Sequence, residues 1–244
     1  MKELPILFST PMVQANLDGR KTMTRRIVKP QPSNGLQKGA GDPGWYDTDY
    51  ECTFHTGKYI KCPYGQPGDL LWVRETWCLP SLFDGFEKDY YFKAGFSVSD
   101  IKDRNASQNW RPSIHMPKAA ARIWSQVEEI RVERLQDISE EDAISEGILP
   151  AENSKSLFLY YDKYSMKLLA GGEMKTKFVN GEKVRIGAGY TGALSSFRSL
   201  WTYINGPESW DANPWVWVVM YKILSTSGKP ELETLNLKPE TAKL

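Results

Sequence analysis

The segment from residue 215 to 223 restricts the fold more than any other part of the sequence. It reads Trp-Val-Trp-Val-Val-Met-Tyr-Lys-Ile and is dominated by aromatic and β-branched residues. Short apolar runs of this composition are typical of strands that are covered on both faces. We therefore predict a central strand here, the last strand of the fold.

Other segments predict further strands around it. Residues 130 to 134 alternate between apolar and charged side chains with a period of two, which indicates a half-buried strand within residues 123 to 135. Shorter strands are predicted at residues 6–8, 27–28, 69–75 and 90–92.

Helix signals interrupt these strands. Thr10, Pro11 and Gly19 supply a cap, a first-turn proline and a C-terminal glycine for a helix over residues 11–18. Ser139, with Asp142 three residues later, begins a short helix that Gly147 ends. Helical spacing of apolar residues also predicts helices within 155–170, with Leu157, Tyr160, Tyr161 and Tyr164 on one face, and within 192–204. The fold class predicted from these elements is α+β.

Charge and composition limit the possible partners and location. The 31 Lys plus Arg and 30 Asp plus Glu give a net charge of +1, so any attraction of nucleic acid must be local. No run of eighteen apolar residues and no secretory signal occur, and the three cysteines show no disulfide-type spacing. We expect a cytoplasmic protein with no membrane partner.

The sequence predicts one domain over residues 1–224. Segments 30–68 and 148–190 are rich in glycine and polar residues and are interpreted as long insertions, the first of them a loop. Residues 225–244 form a polar tail that we expect to be frayed.

The basic segment 20–26 holds the candidate chemistry. A threonine hydroxyl such as Thr24 becomes a nucleophile when a base is adjacent, and Lys21 is that base if its pKa falls. Repulsion from Arg20, Arg25 and Arg26 lowers it. Positions 21 and 24 are an odd number apart, so a straight strand would separate them, and we predict that they share a turn.

Several motifs, in this order, resemble the ASCH family. They are Gly19-Arg20-Lys21-Thr22 with Thr24 and Arg25, then Gly68-Asp69, then residues 143–147, then residues 215–223. The resemblance is strongest to the larger ASCH proteins of tailed bacteriophages and prophages. It implies a PUA-like curved β-barrel with flanking helices, elaborated by the two insertions, and an association with RNA.

The resemblance also implies catalytic residues. A compact family member is a bacterial N4-acetylcytidine amidohydrolase whose proposed catalytic lysine and threonine fall on Lys21 and Thr24, and whose glutamate falls on Glu146. This implies a hydrolase that needs no metal or cofactor and acts on the amide bond of an N4-acylated cytidine. Beside these residues, Arg20, Arg25 and Arg26 are predicted to bind phosphate, and Trp110 to stack on a base.

Other functions stay open at this point. The chain is alternatively a non-catalytic module that binds RNA, DNA or a modified base, a nuclease, or a phage protein that meets a protein partner through its insertions. Cys52, His55 and Cys62, with Cys78 or His115, form an alternative zinc site, although their spacing is wide for one.

The simpler interpretations are structural. Glu146 taken alone is a solvated helix residue, and Glu128, Glu129, Arg131, Glu133 and Arg134 form the wet face of a strand. Five tryptophans in apolar elements are predicted to lie in the core: Trp72, Trp77, Trp201, Trp215 and Trp217.

Overall fold

The computed structural model describes residues 1–33, 35–38, 44–47, 58–79, 90–95, 110–148, 157–158, 175–179, 182–186, 190–191 and 193–231. The helices are α1 (Thr10–Leu17), α2 (Glu140–Ser145) and α3 (Ala193–Asn205), with short 3-10 turns at Ser113–His115, Lys118–Ala120, Leu135–Asp137 and Pro207–Ser209. The strands are β1 (Glu3–Leu7), β2 (Met23–Ile27), β3 (Leu36–Lys38), β4 (Trp45–Asp47), β5 (Lys58–Ile60), β6 (Leu70–Arg74), β7 (Trp77–Cys78), β8 (Tyr91–Phe92), β9 (Trp124–Arg134), β10 (Leu157–Phe158), β11 (Lys175–Val179), β12 (Glu182–Ile186), β13 (Tyr190–Thr191) and β14 (Trp215–Ser225).

The main sheet has five strands in the order β1-β6-β9-β14-β2. The β1–β6 pair is parallel, and the other neighbours are antiparallel. β14 lies inside the sheet between β9 and β2, as its apolar sequence predicts. The fold is therefore mixed α+β, and the strands of the described residues form no closed barrel.

A bulge in β9 decides which of its side chains reach the core. Glu129 pairs with Met220 and Val127 pairs with Tyr221, so the register between β9 and β14 shifts at Glu128. Val127 and Ile130 are three residues apart, yet both are buried in the same core. In a regular strand, residues three apart point to opposite faces of the sheet. The extra residue of the bulge places both side chains on the same face.

Two hydrophobic clusters cover the sheet. Leu71 and Val73 of β6 pack into the larger cluster, whereas Leu70 and Trp72 pack into a smaller one with Trp77. Successive residues of a strand point to opposite faces, so β6 is buried on both sides. Four of the tryptophans predicted to lie in the core are buried, and Trp215 is half-buried.

The segment predicted to be an unstructured loop, 30–68, contains a small sheet. β3, β4 and β5 pair in that order, and the ring of Trp45 packs edge-on against Trp217, 5.6 Å between ring centres. Ile60 and Cys62 belong to the larger cluster. Strands of three residues carry too little periodicity to be recognised in the sequence.

The second predicted insertion, 148–190, falls largely outside the described residues. β10 pairs with β13 and β11 pairs with β12, so the helix predicted over 155–170 is wrong at Leu157–Phe158. The predicted helical residues Tyr160, Tyr161 and Tyr164, and the tail beyond residue 231, lie outside the described residues. The single-domain organisation stays a prediction.

The helix ends follow their sequence signals with one correction. Ser139 caps α2 by accepting a hydrogen bond from the backbone N–H of Asp142, as predicted. Thr10 lies inside α1, and Ser9 occupies the N-terminal cap position without a side-chain hydrogen bond. Gly19 and Gly147 adopt positive φ angles of 70° and 85° after α1 and α2. Within the described residues, no helix is long and apolar enough to cross a membrane.

We predict that Gly147→Ala destabilises the protein far more than Gly19→Ala. Both glycines have positive φ, so each alanine costs about 1–2 kcal/mol of backbone strain. A Cβ at position 147 would also lie 2.7 Å from the Lys21 Cβ and 2.8 Å from the Ala15 Cβ, whereas a Cβ at position 19 meets nothing within 4 Å. Overpacking adds about 1–3 kcal/mol. Urea titrations measure the free energy of unfolding of both variants. Equal losses in the two variants would contradict the close contact of position 147 with Lys21 and Ala15.

Candidate functional site

A cleft of about 440 Å³ is lined by residues of β2, α3 and the segments beside them. This volume lies in the range of small-molecule sites. Its lining residues are Phe8, Met12, Lys21, Thr24, Arg25, Arg26, Ile27, Lys29, Lys61, Pro63, Tyr64, Glu146, Phe197, Leu200, Trp201, Ile204, Asn205 and Trp217. The three residues predicted to be catalytic, Lys21, Thr24 and Glu146, all line it.

Lys21 is fixed by three acceptors. Its Nζ donates to the Met23 carbonyl at 2.7 Å, to the Glu146 carbonyl at 2.8 Å and to Glu146 Oε2 at 2.8 Å. The two residues also form an isolated antiparallel backbone bridge. Both side chains are buried, at 1% and 5% exposure. The interpretation of Glu146 as a solvated helix residue is therefore wrong.

The Glu146–Lys21 contact also offsets the unfavourable negative charge at the C-terminal end of α2. Glu146 occupies the C-terminal cap position, where a negative side chain opposes the helix dipole. The ammonium of Lys21 contacts both the carboxylate and the carbonyl of this residue. A buried cation at this position stabilises the helix end and the carboxylate together.

Burial lowers the pKa of the Lys21 ammonium below its usual range. Arg26 and Arg25 lower this pKa further by repulsion, and the Glu146 carboxylate opposes the shift. The direction matches the sequence prediction, but desolvation is the largest cause and the arginines contribute less.

Thr24 lies on β2 opposite Val219 of β14. It is 1% exposed and lines the cleft. Among the described residues its hydroxyl has no hydrogen-bonding partner. Lys21 and Thr24 do not share a turn as predicted, because Thr24 is already in the strand. Lys21 precedes the strand, so the alternation rule does not separate them.

Arg25 is held by an ion-pair network and is not available to a ligand. Its Nη2 lies 2.5 Å from Glu133 Oε1 and 2.6 Å from Asp142 Oδ2, and its Nη1 lies 3.4 Å from Glu146 Oε1. Arg131 pairs with the same Glu133 and Asp142. Since Arg131 and Glu133 are half-buried and paired, the wet-face interpretation of this strand is wrong for these two residues.

The rim of the cleft is cationic. Lys29 and Lys61 are exposed, and neither forms an ion pair with any other part of the chain that the structure describes. Arg26 is half-buried, donates to the Leu7 carbonyl at 2.7 Å and lies over the Phe8 ring. The sequence analysis missed both lysines because they lie in or beside a segment interpreted as a loop.

Aromatic side chains complete the walls. Phe197 and Trp201 of α3, Trp217 of β14, Tyr64 and Phe8 line the cleft. The sequence analysis placed Trp201 and Trp217 in the core, and both are buried there, as is Phe197. These residues also form walls of the cleft, and the sequence pattern does not distinguish this second role from burial in the core.

Two predicted binding residues lie outside the cleft. Arg20 pairs with Asp18 at 2.8 Å and donates to the Gly147 carbonyl at 2.7 Å, so it ties the end of α1 to the end of α2. Trp110 does not line the cleft, and its neighbour Arg111 lies over the Trp77 ring beside the smaller cluster. The predicted roles of Arg20 in phosphate binding and of Trp110 in base stacking are therefore not supported at this cleft.

The alternative zinc site is only partly described. Cys52 and His55 lie outside the described residues. Cys62 is a free, buried cysteine, and burial raises the pKa of its thiol to about 12. Zinc is bound by the thiolate, which this environment disfavours. No group of three metal-binding side chains occurs in the described part of the chain.

Comparisons with protein-family models, curated protein sequences and solved structures find no match.

We predict that Lys21→Met or Glu146→Leu alone destabilises the fold by about 3–5 kcal/mol, since the first leaves Glu146 with only its 3.4 Å contact to Arg25 and the second leaves the buried Lys21 ammonium without a carboxylate. The double variant removes both charges and is expected to recover most of this loss. Arg25 keeps Glu133 and Asp142 in the double variant. Urea unfolding of all four proteins measures the coupling, and additive losses would contradict a direct buried pair.

Proposed function

We propose that the chain is a PUA-like ASCH protein that binds an N4-acylated cytidine in this cleft and hydrolyses its amide bond. The observation that carries the proposal is that the buried Lys21–Glu146 pair lines one cleft together with Thr24, a buried threonine. The aromatic walls support a nucleobase ligand, because aromatic rings stack on bases.

The first half of the proposed reaction transfers the acyl group to the protein. Thr24 Oγ1 attacks the acyl carbonyl carbon while neutral Lys21 Nζ accepts the hydroxyl proton. The tetrahedral intermediate collapses, the bond from carbon to N4 breaks, and Lys21 returns its proton to the leaving amine. The products are cytidine and an ester on Thr24.

The second half regenerates the threonine. Lys21 accepts a proton from water, whose oxygen attacks the ester carbon. The bond from carbon to Thr24 Oγ1 then breaks, and the proton returns to this oxygen. Each cycle consumes one water and releases a carboxylic acid. Glu146 positions Lys21 in both halves through the 2.8 Å contact.

The second candidate is a module that binds the modified base without hydrolysing it. The three acceptors of Lys21 use all three donors of an ammonium group, which favours the charged form that cannot act as a base. Burial favours the neutral form, and the balance between these effects separates the two candidates.

We predict that Thr24→Val slows release of acetate from N4-acetylcytidine by at least about a thousandfold, because the nucleophilic hydroxyl is lost. The substitution conserves shape, so the dissociation constant of the substrate should change little. Thr24→Ser keeps a hydroxyl and should retain most of the rate. Chromatography of the released cytidine measures the rates, and calorimetry measures the dissociation constant.

Thr22→Val is the matched control, because Thr22 is an exposed threonine outside the cleft lining. It should leave the rate unchanged. If the wild-type protein binds but does not hydrolyse N4-acetylcytidine and other N4-acylated cytidines, the binding module is the correct function. If it neither binds nor hydrolyses them, both candidates fail.

The rate of hydrolysis should rise with pH as Lys21 loses its proton, with a midpoint below the usual range of lysine because burial lowers this pKa. The carboxylate of Glu146 raises the pKa of Lys21, so Glu146→Gln should move the midpoint to lower pH. A midpoint that Glu146→Gln leaves in place, or moves upward, would argue that another group is the base.

A further inference from the structure

We infer that Lys29, Lys61 and Arg26 form a phosphate subsite at the rim of the cleft, so that its ligand is a phosphorylated cytidine unit and not the free nucleoside. This inference rests on the proposed function, since it names the substrate class of the same cleft. The shared ligand chemistry is a phosphate attached to the acylated nucleoside.

The charges that line the cleft separate into two groups. Lys21 and Arg25 are buried and paired with carboxylates: Lys21 with Glu146, and Arg25 with Glu133, Asp142 and Glu146. These contacts neutralise the inner end of the cleft. Among the described residues that line the cleft, Glu146 is the one carboxylate.

The second group is the rim, where positive charge is not balanced. Lys29 and Lys61 have no ion pair with the described residues, and Arg26 contacts the Leu7 carbonyl, the Phe8 ring and the Tyr64 side chain but no described carboxylate. By contrast, the exposed Lys118 and Lys229 both pair with Glu3 elsewhere on the surface. The net charge of the whole chain is +1, so these rim cations do not reflect a generally positive protein.

A neutral nucleoside gives these three cations no charged partner, whereas a phosphate is negatively charged and accepts hydrogen bonds from all of them. Arg26 is anchored through one nitrogen, at 2.7 Å from the Leu7 carbonyl, and keeps other guanidinium donors. Lysine side chains reach a phosphate as flexible point charges. The rim thus combines one oriented donor group with two adaptable ones.

The spacing along the chain fits a nucleotide. Lys29 follows Thr24 by five residues, an extended separation of at most about 17 Å. The side chain of Lys29 shortens this distance for a ligand that lies between the two residues. Trp217 pairs with Arg26, which lies between Thr24 and Lys29 in sequence, and the rings of Trp217 and Tyr64 both line the cleft. An acyl group at Thr24, a base against the rings and a phosphate at the rim follow the order of groups in one nucleotide.

The experiment compares three ligands by calorimetry and by acetate release: N4-acetylcytidine, its 5′-monophosphate, and a short single-stranded RNA with one N4-acetylcytidine. The variant is Lys29→Gln with Lys61→Gln. The control is Lys38→Gln with Lys222→Gln, which makes the same charge change at exposed lysines outside the cleft.

For the wild type, we expect a phosphate-bearing ligand to bind at least about tenfold tighter than the nucleoside, with an advantage that falls as salt rises. The rim variant should lose this advantage, and the control should keep it. An advantage shared by the monophosphate and the RNA indicates that a terminal phosphate is sufficient. An advantage of the RNA alone indicates a backbone phosphate.

The two proposals can fail separately. If N4-acetylcytidine is hydrolysed but phosphate adds no affinity, or the rim variant keeps the full advantage, the phosphate subsite is overturned and the proposed function stands. If the monophosphate binds through the two lysines but no acetate is released from any ligand, hydrolysis is overturned and the subsite stands.

Discussion

The contact between Lys21 and Glu146 is the interaction on which the rest of the site depends. It joins the chain before β2 to the end of α2, two segments 125 residues apart in sequence. Gly147 makes the approach possible, because a side chain there would collide with both Lys21 and Ala15. Arg20 reinforces the same junction through the Gly147 carbonyl. Thr24 follows three residues later on β2, so its position in the cleft is set from this junction.

The cleft has a neutral inner end and a charged rim, and this division follows from the cost of burial. A buried charge requires a partner, and the network of Arg25, Glu133 and Asp142 supplies one for each. Cations on the rim are solvated and need no partner from the protein. Residues of both kinds lie close together along β2. The proposed acyl chemistry belongs at the inner end, where the charges are buried and paired with one another.

Local signals predicted the local structure well. The cap of α2 at Ser139, the helix over 193–205, the alternating strand and the apolar β14 were all predicted from spacing and capping residues, because those effects act within a few residues. The sequence also selected Lys21, Thr24 and Glu146, but through a family resemblance that stays a prediction. The roles of Lys29 and Lys61 were not predictable, since a rim lysine and a solvated lysine look alike in sequence. Arg25 was predicted as a ligand contact, because its carboxylate partners lie more than a hundred residues away and periodicity does not show them.

The position of β14 has a consequence for how the chain reaches its native state. β14 is the last strand described, yet it lies between β9 and β2 and hydrogen-bonds to both. During synthesis, β2 and β9 therefore emerge long before the strand that joins them, and each presents an unpaired edge until residues 215–225 leave the ribosome. A nascent chain that stalls before that point has neither the completed sheet nor the Trp217 wall of the cleft. The proposed ligand site therefore requires residues 215–225, and products that lack them expose unpaired strand edges that favour aggregation.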